Sequence, residues 1–243
     1  MVITSLENDK IKSLCKLQQK KYRDESNTFL VEGEHLVQEA DKSNSIEELI
    51  ITEEYNSIYD YPTITVTKEV MKKISNLDNP PVIMALCKKN NSNTIIGNKI
   101  LLLDEIQDPG NLGTIIRSSL AFNVDTIVLS NCVDLYNPKV LRGTQGMFYH
   151  INTVNKDTNS TIDYMKENNI PVYGTSVEGG VEVKTLTQKD KEKYCLIMGN
   201  EGKGLSQDTL DKCDKKLYIK MNEKTESLNV GVACSIILYE LGE

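Results

Sequence analysis

The sequence predicts an α/β protein in two parts, a small amino-terminal α/β domain and a larger carboxy-terminal α/β domain built on a mostly parallel sheet. Two patterns carry this expectation. From residue 100 onward, short apolar runs of strand length alternate with helix-like segments, as in a wound parallel sheet. The polar stretch Lys88-Lys89-Asn90-Asn91-Ser92-Asn93 has no apolar residue to bury and divides the chain. The division gives 1–90 as the first domain, 91–98 as a linker and 99–243 as the second domain. With 243 residues and 39% hydrophobic content, the chain carries enough apolar material for a real core.

In the first part, Ile11, Leu14, Cys15 and Leu17 fall at helical spacing between Asn8 and Tyr22. Lys10, Lys12, Lys16, Lys20, Lys21 and Arg23 make this amphipathic helix basic until Asp24 and Glu25, a pattern that suits a nucleic-acid contact or a plain solvated face. An apolar run at Thr28 to Val31 precedes a helical stretch from His35 to Asp41. Strand-like runs follow at Leu49 to Thr52, at Thr63 to Val66, and at Val82 to Cys87 after the Pro80-Pro81 break.

In the second part, strands are predicted at Ile100 to Leu103, Thr126 to Leu129, Pro171 to Tyr173, Cys195 to Met198 and Leu217 to Ile219. Ligands of open α/β sheets gather at the carboxyl ends of strands, where loops meet helix amino termini. Three segments occupy such places. Leu103 to Arg117 runs from a strand through Pro109-Gly110 into a helix, with Asn111 expected at the N-cap and Leu112, Ile115, Ile116 and Leu120 forming the buried stripe. Arg117 stands four residues after Gly113, over a turn without a side chain, which leaves room for something to approach it.

The second segment, Leu196 to Ser206, places Gly199, Gly202 and Gly204 directly after a buried strand, with Glu201 at the apex and Ser206 capping the next helix. Glycine lets backbone approach a ligand closely. The third runs from Lys216 through a polar turn into Ser227 to Glu240, where Gly231, Ala233, Cys234 and Ser235 narrow the first turns of a helix. That girth suits packing against another backbone, a cofactor or a second subunit. Taken singly, the segments also read as a capped helix with a surface Arg, a flexible glycine turn and a buried terminal helix, and none of them alone names a reaction.

Composition removes several chemistries. The net charge of −7 counts against a protein that coats nucleic acid non-specifically, while leaving room for a local basic patch. Cys15, Cys87, Cys132, Cys195, Cys213 and Cys234 are dispersed, without a CxxC pair, so neither a zinc site nor a disulfide framework is expected. His35 and His150 are too few for a His metal cluster or a catalytic triad. No metal is expected. Neither GxGxxG nor GxxxxGK[ST] occurs, so dinucleotide and phosphate-loop sites lack their signatures. No apolar run approaches the roughly 18 to 20 residues that cross a bilayer. Met1 to Lys10 lacks a basic stretch followed by a sustained apolar one, so a cytoplasmic protein is expected.

Together and in order, the three segments resemble the motifs of the SpoU-TrmH family of SPOUT methyltransferases. Asn111-Leu112-Gly113-Thr114-Ile115-Ile116-Arg117 resembles the first motif, Gly199-Asn200-Glu201-Gly202-Lys203-Gly204-Leu205 the second and Ser227-Leu228-Asn229-Val230-Gly231-Val232-Ala233 the third. Asp134 to Gly143 resembles an intermediate stretch of the family, and the likeness spans about residues 99 to 243. Lys20-Lys21-Tyr22-Arg23 and Phe29-Leu30-Val31-Glu32-Gly33 are similar to pieces of the small substrate-binding domain often found with it. Gly231 departs from the pattern, since many relatives have Ser there.

The resemblance implies a trefoil-knotted carboxy-terminal domain, an exception to ordinary connectivity, and a homodimer. It implies methyl transfer from S-adenosylmethionine to the ribose 2′-hydroxyl of a structured RNA, ribosomal RNA ahead of transfer RNA. The implied catalytic residues are Arg117, Asn111, Glu201, Ser227 and Asn229. Gly199, Ile219, Leu228, Leu129, Gly204 and Asn229 are the implied cofactor contacts, and Lys20, Lys21, Arg23 and Arg142 are candidates for RNA. Arg117 is expected to act electrostatically, because a guanidinium does not readily lose its proton. The alternative is a catalytically inactive protein that binds structured RNA on the same fold; the intact Asn111, Arg117, Glu201 and Asn229 argue against it.

Overall fold

Strands and helices alternate throughout the computed structural model, which describes residues 2–90, 92–177 and 179–242. By contact they form two units, one running to Asn90 and taking in Tyr136–Tyr149, the other holding the rest of the chain.

The first unit contains β1 (Val2–Ile3), α1 (Asp9–Lys16), α2 (Lys20–Ser26), β2 (Thr28–Glu32), α3 (Glu34–Lys42), β3 (Ile46–Thr52), β4 (Thr63–Val66), α4 (Lys68–Ile74) and β5 (Ile83–Lys88). Its sheet has the order β1-β4-β3-β5-β2. β4 is parallel to β1 and β3, and β5 is antiparallel to β3 and β2. Ile11, Leu14 and Leu17 pack with Val66, Val70, Met71 and Ile74 in one core, as their helical spacing requires.

The helix expected over Asn8 to Tyr22 is two helices. Arg23 folds its guanidinium back onto the Leu17 carbonyl at 2.7 Å, occupying the acceptor that a continuing helix would offer to residue 21. Leu17 closes α1, and the chain turns before Lys20.

The second unit contains β6 (Lys99–Asp104), α5 (Pro109–Ala121) and β7 (Thr126–Ser130) before the chain enters α6 (Pro138–Thr144), which belongs to the first unit. It resumes with β8 (Asn152–Asn155), α7 (Thr158–Glu167), β9 (Val172–Thr175), β10 (Val181–Glu182), α8 (Gln188–Glu192), β11 (Tyr194–Met198), α9 (Gln207–Asp211), β12 (Lys215–Tyr218) and α10 (Val230–Gly242). The seven strands take the order β10-β12-β9-β11-β6-β7-β8, and every pairing is parallel. β6 from Ile100 to Leu103 and all of β11 are buried, apolar runs because both their faces are covered. The edge strands β8 and β10 went unpredicted, since Asn152, Thr153 and Asn155 and the two-residue Val181–Glu182 show no such run.

The α6 excursion is stapled into the first unit by aromatic contacts. Phe29 meets Tyr136 at 4.6 Å and Phe148 at 5.9 Å between ring centroids, the Tyr136 hydroxyl bonds both the N–H and the carbonyl of Asn90, and His35 Nε2 lies 3.1 Å from the Gln145 carbonyl. Part of the stretch Asp134 to Gly143 thus packs with the amino-terminal unit although it is encoded within the second. Among the described residues, no helix is long and apolar enough to cross a membrane.

Candidate active site

The turn after β6 starts the site. Asp108, not Asn111, caps α5: its Oδ1 accepts the Asn111 N–H at 2.8 Å, and Pro109 takes the first helical position, where no N–H is needed. Asn111 therefore sits inside the first turn with its amide available elsewhere.

That amide belongs to a directed chain. At the start of α10, Asn229 Oδ1 accepts the N–H groups of Gly231 at 2.9 Å and Val232 at 3.2 Å. Backbone N–H groups only donate, so the Asn229 amide is oriented without ambiguity and its Nδ2 donates to Asn111 Oδ1 at 2.8 Å. Asn111 Nδ2 in turn donates to Glu201 Oε1 at 3.3 Å. Glu201 also receives the N–H of Asp108 at 2.9 Å and that of Gln107 at 3.1 Å. Every partner is a donor, an arrangement that favours the ionised carboxylate. Burial pushes the Glu201 pKa up, but the bonds from the backbone of Asp108, Glu201 and Gln107 and from Asn111 outweigh it, and the net shift is downward.

Beside this chain lies a cavity of about 480 Å³, the size of a small-molecule site. It opens at the carboxyl ends of β9, β11 and β12, bounded by Thr175 to Val177, by the loop from Met198 to Leu205, and by Ile219, Met221 and Glu226 to Leu228; Ala233 and Ile237 of α10 complete it. The glycine loop folds tightly onto itself. A Cβ on Gly199 would stand 2.4 Å from the Gly204 carbonyl carbon, and Gly204 has a φ of +66°.

Of the expected cofactor contacts, Gly199, Gly204, Ile219 and Leu228 line this cavity, as do Ser227 and Glu201. Asn229 belongs to the polar chain instead. Leu129 is away from the cavity, buried in β7, which β6 separates from β11 and β9. Arg117 is exposed, makes no hydrogen bond or ion pair among the described residues, and is not on the cavity wall. Six positions after Asn111, it points about 240° around the helix from it. α5 presents Thr114 and Ser118 to α10: Ser118 Oγ meets Ser235 Oγ at 2.6 Å, and Gly231 sits against Thr114, where an added Cβ would come within 3.4 Å.

The wall formed by Thr175, Ser176 and Val177 went unpredicted. Its signal was positional, a carboxyl strand end after Pro171 to Tyr173, and lacked a glycine motif.

In the first unit, Lys20 and Lys21 are exposed on α2 and face Asp24 at 2.6 Å and Glu25 at 3.8 Å. Arg23 does not join them at the surface: it is 3% exposed and bound to the Leu17 carbonyl. Arg142 is half-buried on α6, and its Nη1 is buried without a hydrogen-bond partner.

Thiolate and metal chemistry have little support among the described residues. Burial pushes the thiols of Cys132 and Cys213 up to about 11, so both are protonated at neutral pH. No group of His, Cys, Asp and Glu side chains is placed to hold a metal ion.

The parallel seven-stranded sheet with a cavity at its strand ends matches the SPOUT class, and likeness to known proteins shows an RNA methyltransferase that draws its methyl group from S-adenosylmethionine. Residues 98–239 match the SpoU rRNA Methylase family, and residues 8–85 match the MRM3-like substrate binding domain. The chain belongs to the SpoU rRNA Methylase family. It is 38% identical to the 23S rRNA (guanosine(2553)-2′-O)-methyltransferase RlmP of Bacillus subtilis, over 98% of each chain. It is 31% identical to the 23S rRNA (guanosine-2′-O-)-methyltransferase RlmB of Coxiella burnetii over 70% of this chain and 66% of that one. Among solved structures, the AdoMet-bound rRNA methyltransferase from Sinorhizobium meliloti superposes with a TM-score of 0.88 at 28% identity, covering 99% of this chain and 97% of that one.

The cavity suits the methyl donor on its own terms. Apolar Leu217, Ile219, Leu228 and Ile237 provide a surface for a purine ring, the glycine loop brings backbone polar groups close, and the Glu226 carboxylate offers a counter-charge to a cationic ligand.

Proposed function

We propose that this protein methylates the ribose 2′-hydroxyl of a guanosine in 23S ribosomal RNA, in the cytoplasm, as a homodimer with a trefoil-knotted second unit. The observation that carries the substrate assignment is the 38% identity to the Bacillus subtilis 23S rRNA enzyme across almost the whole of both chains. Transfer RNA enzymes with the same fold are the competing class. Val232 and Tyr239, large side chains 47% and 50% exposed on α10, support the dimer, because a second copy would cover them.

When bound, S-adenosylmethionine supplies an electrophilic methyl group on a sulfonium. The chain has to hold the 2′-oxygen in line with it and stabilise the charge that develops on that oxygen. Arg117 is the residue for the second task. With no partner among the described residues, the N–H groups of its guanidinium remain available to a phosphate or to the developing alkoxide. Glu201 is a poor candidate for the base, since its oxygens are already held by donors and its acidity is increased. It anchors Gln107, Asp108 and Asn111 instead, and Asn229 fixes the Asn111 amide from the other side. The 2′-proton leaves to water. Ser227, at the cavity rim, offers a hydroxyl toward the ribose or the donor.

The test is incubation with tritium-labelled S-adenosylmethionine and, in parallel, 23S rRNA, 16S rRNA and bulk tRNA taken from cells lacking the enzyme, followed by primer-extension mapping. Label at a guanosine 2′-oxygen of 23S rRNA is expected. Label confined to tRNA would overturn the assignment. Light scattering at twice the 27.3 kDa chain mass checks the dimer.

A further inference from the structure

Next to Glu201, an amide with two opposed duties ties the cavity loop to the turn after β6. Asn200 Oδ1 accepts the N–H groups of Gly202 at 3.0 Å and Lys203 at 3.2 Å. These can only donate, so the orientation of the amide is set, and its Nδ2 donates to the Glu105 carbonyl at 3.0 Å. The loop is closed as well by the Gly204 N–H on the Asn200 carbonyl at 2.9 Å.

Glu105 is the unusual partner. Its φ is +62°, a left-handed conformation that favours Gly or Asn and that a glutamate adopts only under constraint. The constraint is visible at both of its backbone polar groups: the N–H bonds the Ser130 carbonyl at 2.9 Å, and the carbonyl takes Asn200. Glu201 then holds the N–H groups of Gln107 and Asp108 two and three residues further on. Consecutive residues of the cavity loop thus grip one turn at two points, and that turn leads directly into Asn111. Backbone strain maintained by surrounding bonds is a recurrent property of functional sites.

We propose that Asn200 is a positioning residue for methyl transfer. It locks the cavity loop to the strained turn at Glu105 and so sets where Asn111 and the start of α5 stand relative to the donor's seat. The inference rests on the reading of the cavity as the seat of S-adenosylmethionine in an RNA methyltransferase. An amide is needed because one atom must accept and the other donate. Aspartate keeps the acceptor for Gly202 and Lys203 but sets a carboxylate against the Glu105 carbonyl oxygen. The cavity is then retained while the turn is released.

Asn200→Asp should bind S-adenosylmethionine within about threefold of wild type by calorimetric titration yet lose about tenfold to a hundredfold in kcat on the RNA that wild type labels, the scale of a small misplacement of reacting groups. Adding Glu105→Gly should recover most of that loss, because glycine takes φ near +62° without being held. A merely structural lesion at Asn200 would gain nothing from that second change. The proposal is overturned if Asn200→Asp turns over like wild type, if its loss lies in donor affinity with kcat unchanged, or if Asn200→Asp/Glu105→Gly is no faster than Asn200→Asp. Wild type that labels no RNA overturns the methyltransferase reading and this proposal together, whereas the other outcomes overturn this proposal alone.

Discussion

Replacing Glu201 by Gln tests the directed chain at its terminus. The carboxylate receives Asp108 N–H at 2.9 Å, Gln107 N–H at 3.1 Å and Asn111 Nδ2 at 3.3 Å. All three meet Oε1, which an amide keeps as a neutral, weaker acceptor, while its NH2 replaces the Oε2 that the Gln107 N–H also reaches at 3.3 Å. Hydrogen bonds to a charged acceptor exceed neutral ones by about 1 kcal/mol each, and solvent exposure of this site reduces the sum to about 1 kcal/mol overall. For a chain of this size that corresponds to roughly 2 to 4 °C in Tm. The pH dependence follows from the lowered pKa of Glu201 in the folded protein. A group with a depressed folded pKa contributes stability above its unfolded pKa, about 4.3 for glutamate, and that contribution disappears as pH falls through the lower folded value. Thermal melts of both proteins from pH 7 to pH 3 should therefore show a gap that is constant down to about pH 5 and closes in more acidic buffer. Equal melting at pH 7, or a gap that persists undiminished at pH 3, would refute an ionised, donor-saturated Glu201.

Gly199→Ala should abolish S-adenosylmethionine binding in a titration while the protein stays folded by circular dichroism, because its Cβ would stand 2.4 Å from the Gly204 backbone; retained affinity would mean that the loop relaxes. Arg117→Ala should bind the donor normally and melt within about 1 °C of wild type, as an exposed residue without partners does, yet lose methyl transfer in the tritium assay; near-wild-type turnover removes Arg117 from the mechanism. Lys20→Ala with Lys21→Ala should weaken RNA binding across sequences and flatten the slope of log affinity against log salt by about one for each phosphate no longer neutralised. An unchanged slope would place the RNA-binding surface elsewhere. Gly231→Ser should be nearly neutral in a melt, since its Cβ would approach Asn229 Oδ1 to 3.2 Å and Thr114 to 3.4 Å, distances that small side-chain shifts can relieve.

What the linear chain determined was local and periodic. Strands covered on both faces, such as Ile100 to Leu103 and Cys195 to Met198, read as unbroken apolar runs. Ser206 was legible as a helix cap because its hydroxyl meets an N–H three residues on, and it accepts that of Thr209 at 3.1 Å. The glycines of the second segment were legible because only Gly permits their approach. The tertiary structure decided whatever depends on partners distant in sequence. Asn111 looked like a cap until Asp108 took that place and Asn229, more than a hundred residues away, claimed its amide. Arg23 counted as a surface charge until it bent back to the Leu17 carbonyl and broke a helix that periodicity had joined. Leu129 lies one residue before the end of β7 and Thr175 at the end of β9, and only the strand order put one beyond β6 and the other on the cavity wall. Residue type and spacing set which hydrogen bonds and neighbours are available to a side chain, whereas the packing of the sheet and its helices selects among them, because each donor and acceptor is satisfied by whichever partner the fold brings within reach.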